Sequence, residues 1–357
     1  MTITRTEKLR KFYNGRTVYI TGITGFKGTW LALMLEELGA NVYGMGLLPE
    51  EKSLANMVDL DSHAKVAYGD ITAPATESCY MVTMAASQPD VVFHLAAQPI
   101  VSEGYKNPFD TFNTNIMGTV ITHEIVRALD KKVSLVNVTT DKVYEESDRP
   151  LVEGDTLRGF DPYSLSKSCS DMISSCYSHS FDDKVITSTM RAGNVVGGGD
   201  YSLNRIMTDI VTAAETEGTL SLRNPNSVRP YQHVFDALTA YLTIGMEQYL
   251  CPRIAGEYNV GPNAGQIAST LDVAKGMQEV MNFNIDTNGV SIGHENPNLQ
   301  LDSTKLREST SWKPVYNSIK NVVNETALWY NNVMNGENPL EQLQLQIKGG
   351  FKKYDEN

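Results

Sequence analysis

Residues 17–38 restrict what this chain can fold into more than any other stretch. Thr17 to Thr21 (TVYIT) is short, apolar and β-branched, the composition of a buried strand. Gly22, Gly25 and Gly28 punctuate the residues that follow. Gly28 to Leu38 then sets Leu31, Met34, Leu35 and Leu38 on one helical face. Strand, glycine turn and helix in that order permit a tight turn, close approach of a pyrophosphate, and close helix packing, with the helix N-terminus facing the phosphates. The spacing is GxxGxxG, not GxGxxG. Three glycines alone are often only a turn, so the strand before and the helix after carry the reading. Gly22, Thr24, Gly25, Phe26, Lys27 and Gly28 are the loop's candidate cofactor-binding residues.

The same alternation continues over about 175 residues, which implies a parallel sheet wound on both faces. Further strands are predicted over Asn41 to Leu48, Val66 to Tyr68, Val91 to Leu95, Val133 to Thr139 and Val185 to Arg191. Helices are predicted over Pro108 to Leu129 and Tyr163 to Ser180. After Gly197-Gly198-Gly199 the rhythm gives way to short helices and turns, while Val234 to Pro262 reads as a helix and strand returning to the sheet. The fold class is α/β: a Rossmann-type doubly wound parallel sheet with a smaller C-terminal α/β substrate-binding domain. The predicted division is interleaved, with residues 14–196 plus 232–262 forming the dinucleotide domain and 197–231 plus 263–350 the second. The polar tail Phe351 to Asn357 is predicted to fray.

Composition excludes some functions. With 30 basic and 42 acidic residues the formal charge is −12, which disfavours general nucleic-acid binding but not a small anion held locally by backbone N–H groups and arginines. The first fifteen residues lack a signal-peptide pattern, and no apolar run approaches the ~18 residues of a membrane span, so a cytoplasmic protein without membrane contact is expected. Four cysteines form no CxxC pair and six histidines no HExxH or HxH, so reduced thiols and no metal site are expected.

The sharpest chemical signal is Tyr163-Ser-Leu-Ser-Lys167. Residues four apart share a helical face, and an ammonium near a phenol favours the phenolate. Such a tyrosine can take a sugar hydroxyl proton while hydride leaves the same carbon, and the lysine can also bond a nicotinamide ribose. Thr139-Thr140-Asp141-Lys142 follows an apolar strand, at the end where sites in this architecture lie. The carboxylate expected for the cofactor's ribose is missing: Gly44 to Leu48 holds none, and Glu50 and Glu51 come late. No arginine there suits a 2′-phosphate, so NAD is favoured over NADP, with weak retention. Asp70, before Ile71, can meet the adenine or simply close a turn. Leu95, Ala96 and Ala97 suit close backbone approach to the cofactor, and His94 reads as packing.

Together TGITGFKG at 21–28, HLAAQP at 94–99, Asn115 within NTNIMGT, TTDKVY at 139–144 and YSLSK at 163–167 resemble the extended short-chain dehydrogenase/reductase family over nearly the whole chain. RAGNVVGGGD at 191–200, RPYQHV at 229–234, YNVGP at 258–262 and LD…WKP at 301–314 resemble its nucleotide-sugar 4,6-dehydratases, in particular the branch acting on CDP-glucose. The resemblance implies a redox-neutral sequence with bound NAD: oxidation at C4, loss of water across C5 and C6, and reduction at C6. It implies a place in making deoxysugars for bacterial surface polysaccharides such as O-antigen. It makes Tyr163 the base, Lys167 its partner, Thr140 a hydrogen-bonding partner of the same oxygen, and Asp141 the acid for the C6 hydroxyl. Related dehydratases carry a glutamate as C5 base where this chain has Lys142. Lys142 is then either that base or a group that positions Asp141 or stabilises the enolate. Asn194, Arg205 and Arg229 are candidates for the substrate diphosphate; His233 is a candidate ligand contact or a packing residue, and Arg191 can be structural. The resemblance also implies a homodimer, with a tetramer as alternative, joined through the helices near Pro108 to Leu129 and Tyr163 to Ser180. Three rivals stand: a 4,6-dehydratase acting on another nucleotide sugar; an epimerase, which needs no acid at Asp141; and a non-catalytic NAD-binding sensor or scaffold, which needs neither Tyr163 nor Lys167.

Overall fold

The computed structural model describes residues 3–72, 74–181, 184–202, 205–263, 266–289 and 299–356. Seven parallel strands form its central sheet: β1 (Thr17–Thr21), β2 (Asn41–Gly46), β3 (Lys65–Tyr68), β4 (Val91–His94), β5 (Val133–Thr140), β6 (Val185–Ala192) and β7 (Glu257–Val260). Their order is β7-β6-β5-β4-β1-β2-β3. Every residue of β4 and β5 is buried, as a sheet covered by helices on both faces requires. Strand order reverses at β1, which pairs with β2 on one side and β4 on the other. A crevice therefore opens beyond the carboxyl ends of β1 and β4, the place where such sheets bind ligands.

Sequence and structure agree on the returning segment. Helix Val234–Leu250 is buried along most of its length and β7 pairs with β6 from Glu257↔Thr189 to Val260↔Ala192. The smaller unit carries helices Ile206–Glu215, Thr270–Gln278 and Ile319–Met334, with Thr219–Ser221 paired to Asn284–Asp286 and Val228–Arg229 to Ala268–Ser269. Asp236 ties it down: its carboxylate accepts from Val315 N at 2.7 Å and Tyr316 N at 3.0 Å, and burial pushes this carboxyl up to about 7.

Three expectations need correction. The helix predicted over 108–129 is interrupted: Pro108–Phe112 and Gly118–Ala128 flank a π-turn at Asn113–Met117. The second strand stops at Gly46, leaving Leu47 and Leu48 exposed. The tail does not fray over its described residues 351–356, residue 357 lying outside them. Pro339–Glu356 is one helix, with Phe351 and Tyr354 buried and Phe351 edge-on to Phe235 at 5.2 Å. It also accepts bonds from the helix Arg5–Tyr13, where Thr6 N donates to Asp355 Oδ1 at 2.8 Å. Two apolar rings four residues or fewer apart outweigh the polar composition around them.

Arg191 is structural. Its guanidinium bonds both Asp171 oxygens, at 2.8 and 2.7 Å, and donates to Tyr144 Oη and Glu153 O at 2.9 Å. Both partners are almost wholly buried. Asp171→Ala is expected to lower unfolding free energy by about 3–5 kcal/mol, because it strands a buried guanidinium. Denaturant unfolding followed by circular dichroism checks this.

Candidate active site

The site is assembled from four carboxyl-terminal strand ends and the loops beyond them. Gly22 sits at φ +72°, and a Cβ there would lie 2.8 Å from Ala96 N. A Cβ on Gly28 would strike Gly22 O and Ile23. The loop is thus pressed against the segment after β4, and any side chain at either position forces them apart. Helix Phe26–Glu37 begins on Gly25, and no side chain caps it. Its leading N–H groups face the crevice and carry the partial positive charge of the helix end. Tight glycine turn, uncapped helix start and close backbone at Ala96 fit the pyrophosphate of a dinucleotide.

Beyond this loop lies a cavity of about 850 Å³. Phe26, Lys27, Leu95 and Ala97 line it from the dinucleotide side. Thr140, Asp141 and Lys142 reach it from the end of β5, and Tyr163 and Lys167 from helix Pro162–Ser180. Asn194 closes it from the segment just after β6, and Arg205 and Arg229 from the smaller unit. These twelve side chains, singled out from the sequence, thus line one cavity.

The tyrosine helix starts with Pro162 at its first position and Asp161 as cap, whose side chain accepts from Ser164 N at 3.0 Å. Its buried face is lined by serines, which allow close approach: Ser170 Oγ meets Thr119 Oγ1 at 2.8 Å, and Ser174 Oγ accepts from Asn137 Nδ2 at 2.8 Å. This fixes Tyr163 and Lys167 over the end of β5. Lys167 Nζ donates to Val138 O at 2.8 Å, and burial lowers its pKa to about 8. Burial pushes the Tyr163 phenol up to about 12, opposed by the Thr140 hydroxyl and the Arg205 guanidinium. The expected lowering of the phenol is therefore not seen: burial outweighs the favourable contacts.

Asp141 is buried and divides its oxygens. Oδ1 accepts from Thr140 Oγ1 at 2.9 Å, while Oδ2 has no hydrogen-bond partner. Burial raises its pKa, and the neighbouring Lys142 charge only partly offsets that. A carboxyl beside a cavity that holds its proton to higher pH than an ordinary aspartate is equipped to give that proton. Asp200, which sequence reading passed over, is buried and holds Arg205 by a 2.9 Å ion pair. Only its place in the GGGD run pointed to it.

Lys27 projects into the cavity instead of serving only the loop backbone. Burial, then the charges of Arg205 and Lys167, lower its pKa to about 7. Asn115, turned inward by the π-turn, accepts from Gln98 N at 2.8 Å and donates to Ser166 Oγ at 2.7 Å, so it clamps the loop after β4 to the tyrosine helix. Ile71 is buried against Gly118. Asp70 closes a turn by accepting from Thr72 N and Oγ1, both at 2.8 Å. His94 is buried among threonines, 2.8 Å from Thr21 Oγ1, and burial holds it neutral. His233 is not among the side chains that line the cavity, and packing is the role the structure gives it. It is buried away from the cavity, packed on Tyr316 at 4.3 Å and on Trp30, and accepts from Phe235 N at the start of the helix Val234–Leu250. Burial lowers its pKa to about 3, so it packs as a neutral ring.

Residues 19–326 match the model of the GDP-mannose 4,6 dehydratase family. The chain belongs to that family. A CDP-glucose 4,6-dehydratase of Salmonella typhimurium is 32% identical over 93% of this chain and 95% of its own length. A dTDP-glucose 4,6-dehydratase of Xanthomonas campestris is 25% identical over 88% and 93%. Among solved structures, the dTDP-glucose 4,6-dehydratase of Bacillus anthracis in complex with NAD superposes with a TM-score of 0.74 at 21% identity, covering 92% of this chain and 100% of that one. The UDP-glucose 4-epimerase of Thermotoga maritima, solved with UDP-glucose, gives 0.77 at 20% identity over 89% and 99%. As in other dehydratases of the family, the central sheet and flanking helices form the extended short-chain dehydrogenase/reductase fold. Among the described residues no cluster of metal-ligating side chains occurs, and no helix is long and apolar enough to cross a membrane.

Proposed function

We propose that this enzyme is a CDP-glucose 4,6-dehydratase working with bound NAD. The observation that carries the reading is Asp141: a buried carboxyl with a raised pKa and an unpartnered oxygen, beside the Tyr163 hydroxyl and Thr140. An epimerase has no use for an acid there. The 32% identity to a CDP-glucose 4,6-dehydratase over nearly the full length supports the substrate.

Bound NAD supplies the acceptor and donor of two electrons. Tyr163 takes the proton of the C4 hydroxyl, with Thr140 hydrogen-bonded to the same oxygen. Asp141 gives its proton to the departing C6 hydroxyl, which leaves as water. The uncharged amine form of Lys142, half-buried at the cavity wall, takes the C5 proton made acidic by the C4 ketone and gives it back to C5 when hydride returns to C6. Arg205, fixed by Asp200, and Arg229 hold the diphosphate with Asn194. The sum is CDP-glucose to CDP-4-keto-6-deoxyglucose and water, with no net redox change. With NAD far below CDP-glucose in concentration, conversion should still run to completion. Arrest after one turnover per NAD would contradict a bound, regenerated cofactor.

Lys142→Ala in deuterated water is expected to lose incorporation of deuterium at C5 along with dehydration. C5 exchange at the wild-type rate would assign Lys142 a positioning role.

Lys27 makes a second expectation. With a pKa near 7 it is mostly neutral above that pH, and a phosphate beside it favours the ammonium and raises the value. Ligand binding at about pH 8 is therefore expected to take up a fraction of a proton, and less at about pH 6, where the amine is already charged. Calorimetry in buffers of different ionisation enthalpy reads this uptake, and Lys27→Met should reduce it, Lys167 with its pKa of about 8 supplying the remainder.

The family's two-fold pairing is supported by apolar side chains left exposed on the helices named above: Phe109, Met117, Leu165 and Met172. A homodimer in the cytoplasm, serving deoxysugar synthesis, is the accompanying reading.

A further inference from the structure

Two charged side chains in the cavity wall lie outside the constellation just described. Asp209 stands one turn beyond Arg205 at the start of the helix Ile206–Glu215, its N–H bonded to Arg205 O at 3.0 Å. Arg223 follows the strand Thr219–Ser221 and lines the same cavity. Their heads approach at 3.9 Å, Nη2 to Oδ2, too far for a hydrogen bond, and the two side chains keep 45% and 44% of their surface. Lone pairs on the carboxylate and N–H groups on the guanidinium therefore remain for a ligand edge lying across both. Asp209 is also partly desolvated, which raises its pKa more than the guanidinium lowers it.

We propose that Asp209 and Arg223 together read the nucleotide base and select cytosine. The inference rests on the nucleotide-sugar reading above and adds a base-selecting subsite. One helical turn carries Asp209 about 6 Å beyond Arg205. With the diphosphate on Arg205 and the sugar toward Tyr163, the ribose spans that gap and the base arrives at Asp209. Cytosine presents an N4 amino donor beside its N3 and O2 acceptors. A carboxylate only accepts and a guanidinium only donates, so Asp209 meets N4–H and Arg223 meets N3 and O2. Uracil and thymine present an O4 acceptor and an N3–H donor at those places. Acceptor then faces acceptor at Asp209 and donor faces donor at N3, leaving only the Arg223 bond to O2.

The test compares wild type with Asp209→Asn on CDP-glucose and UDP-glucose, beside calorimetric binding of CMP and UMP. Asparagine keeps the shape and offers a donor to O4. The preference for CDP-glucose is expected to fall about 10- to 100-fold, chiefly through KM, with a matching fall in CMP over UMP binding. Arg223→Met should erode the same ratio, and thermal unfolding of both variants checks that the fold is intact. An unchanged CDP-to-UDP ratio in folded Asp209→Asn overturns base selection and leaves the dehydratase standing. If wild type turned over no nucleotide sugar while CMP binding still depended on Asp209, the subsite would stand and the assigned reaction would fall.

Discussion

Tyr163→Phe is expected to lower kcat for nucleotide-sugar conversion by about 100- to 10,000-fold, the range for removing a positioned general base. Phenylalanine fills the same volume over the end of β5. The lost hydroxyl leaves one neighbour, Thr140, which keeps its bond to Asp141 Oδ1. Thermal stability and cofactor affinity should therefore hold while turnover collapses. The pH profile adds a second readout. The phenol stands near 12 because it is buried, so its proton-accepting form grows as pH rises. The wild-type rate should climb with pH below the working pKa, and the variant should lose that slope. A folded Tyr163→Phe protein with near wild-type kcat would move the base elsewhere in the cavity.

Asp141→Asn should split the reaction. Asparagine has nearly the same shape and no acidic proton. Oxidation at C4 depends on Tyr163 and should survive, whereas loss of the C6 hydroxyl should slow by about 100-fold or more. Mass spectrometry of the quenched mixture should then find a 4-keto sugar that has lost hydrogen but not water. In the wild type the acid form is the active one. Burial raises this carboxyl's pKa, so it keeps its proton to higher pH than an ordinary aspartate, and dehydration should fall as pH rises through the raised value. Stability should not suffer, since the change removes a buried carboxyl oxygen that has no partner. Unaltered dehydration by this variant would place the acid for the C6 hydroxyl elsewhere in the cavity.

Much of the site was legible because its parts are local. The glycine loop, the Tyr163–Lys167 spacing and the run at 139–142 each occupy one strand end or one helical turn, and periodicity alone orders them. The return of Val234 to Pro262 could be read for the same reason: helix then strand. What escaped depends on contacts distant in sequence. His233 looks like Arg229 and Asn194 on the page, but Trp30 and Tyr316 wrap it into the seam. The tail after Gly350 reads as polar, and it is ordered by Phe235 and by the helix Arg5–Tyr13. The Tyr163 phenol was expected to fall because Lys167 is four residues away. The lysine's ammonium is spent on Val138 O, and burial sets the phenol's direction. Lys27 sits in a loop whose backbone explains its glycines, so nothing in the spacing showed that its side chain turns into the cavity. The π-turn at Asn113–Met117 left no periodicity of its own, since the residues on both sides are helical.

On the proposed reading this cavity expels water from CDP-glucose without net oxidation or reduction. The most direct test incubates the purified protein with NAD and, separately, CDP-, dTDP-, GDP- and UDP-glucose, and follows each by mass spectrometry. Loss of one water from CDP-glucose, with no accumulation of reduced cofactor and little change in the other three, is the predicted result. An unchanged mass with a new sugar stereoisomer would contradict it and make the protein an epimerase.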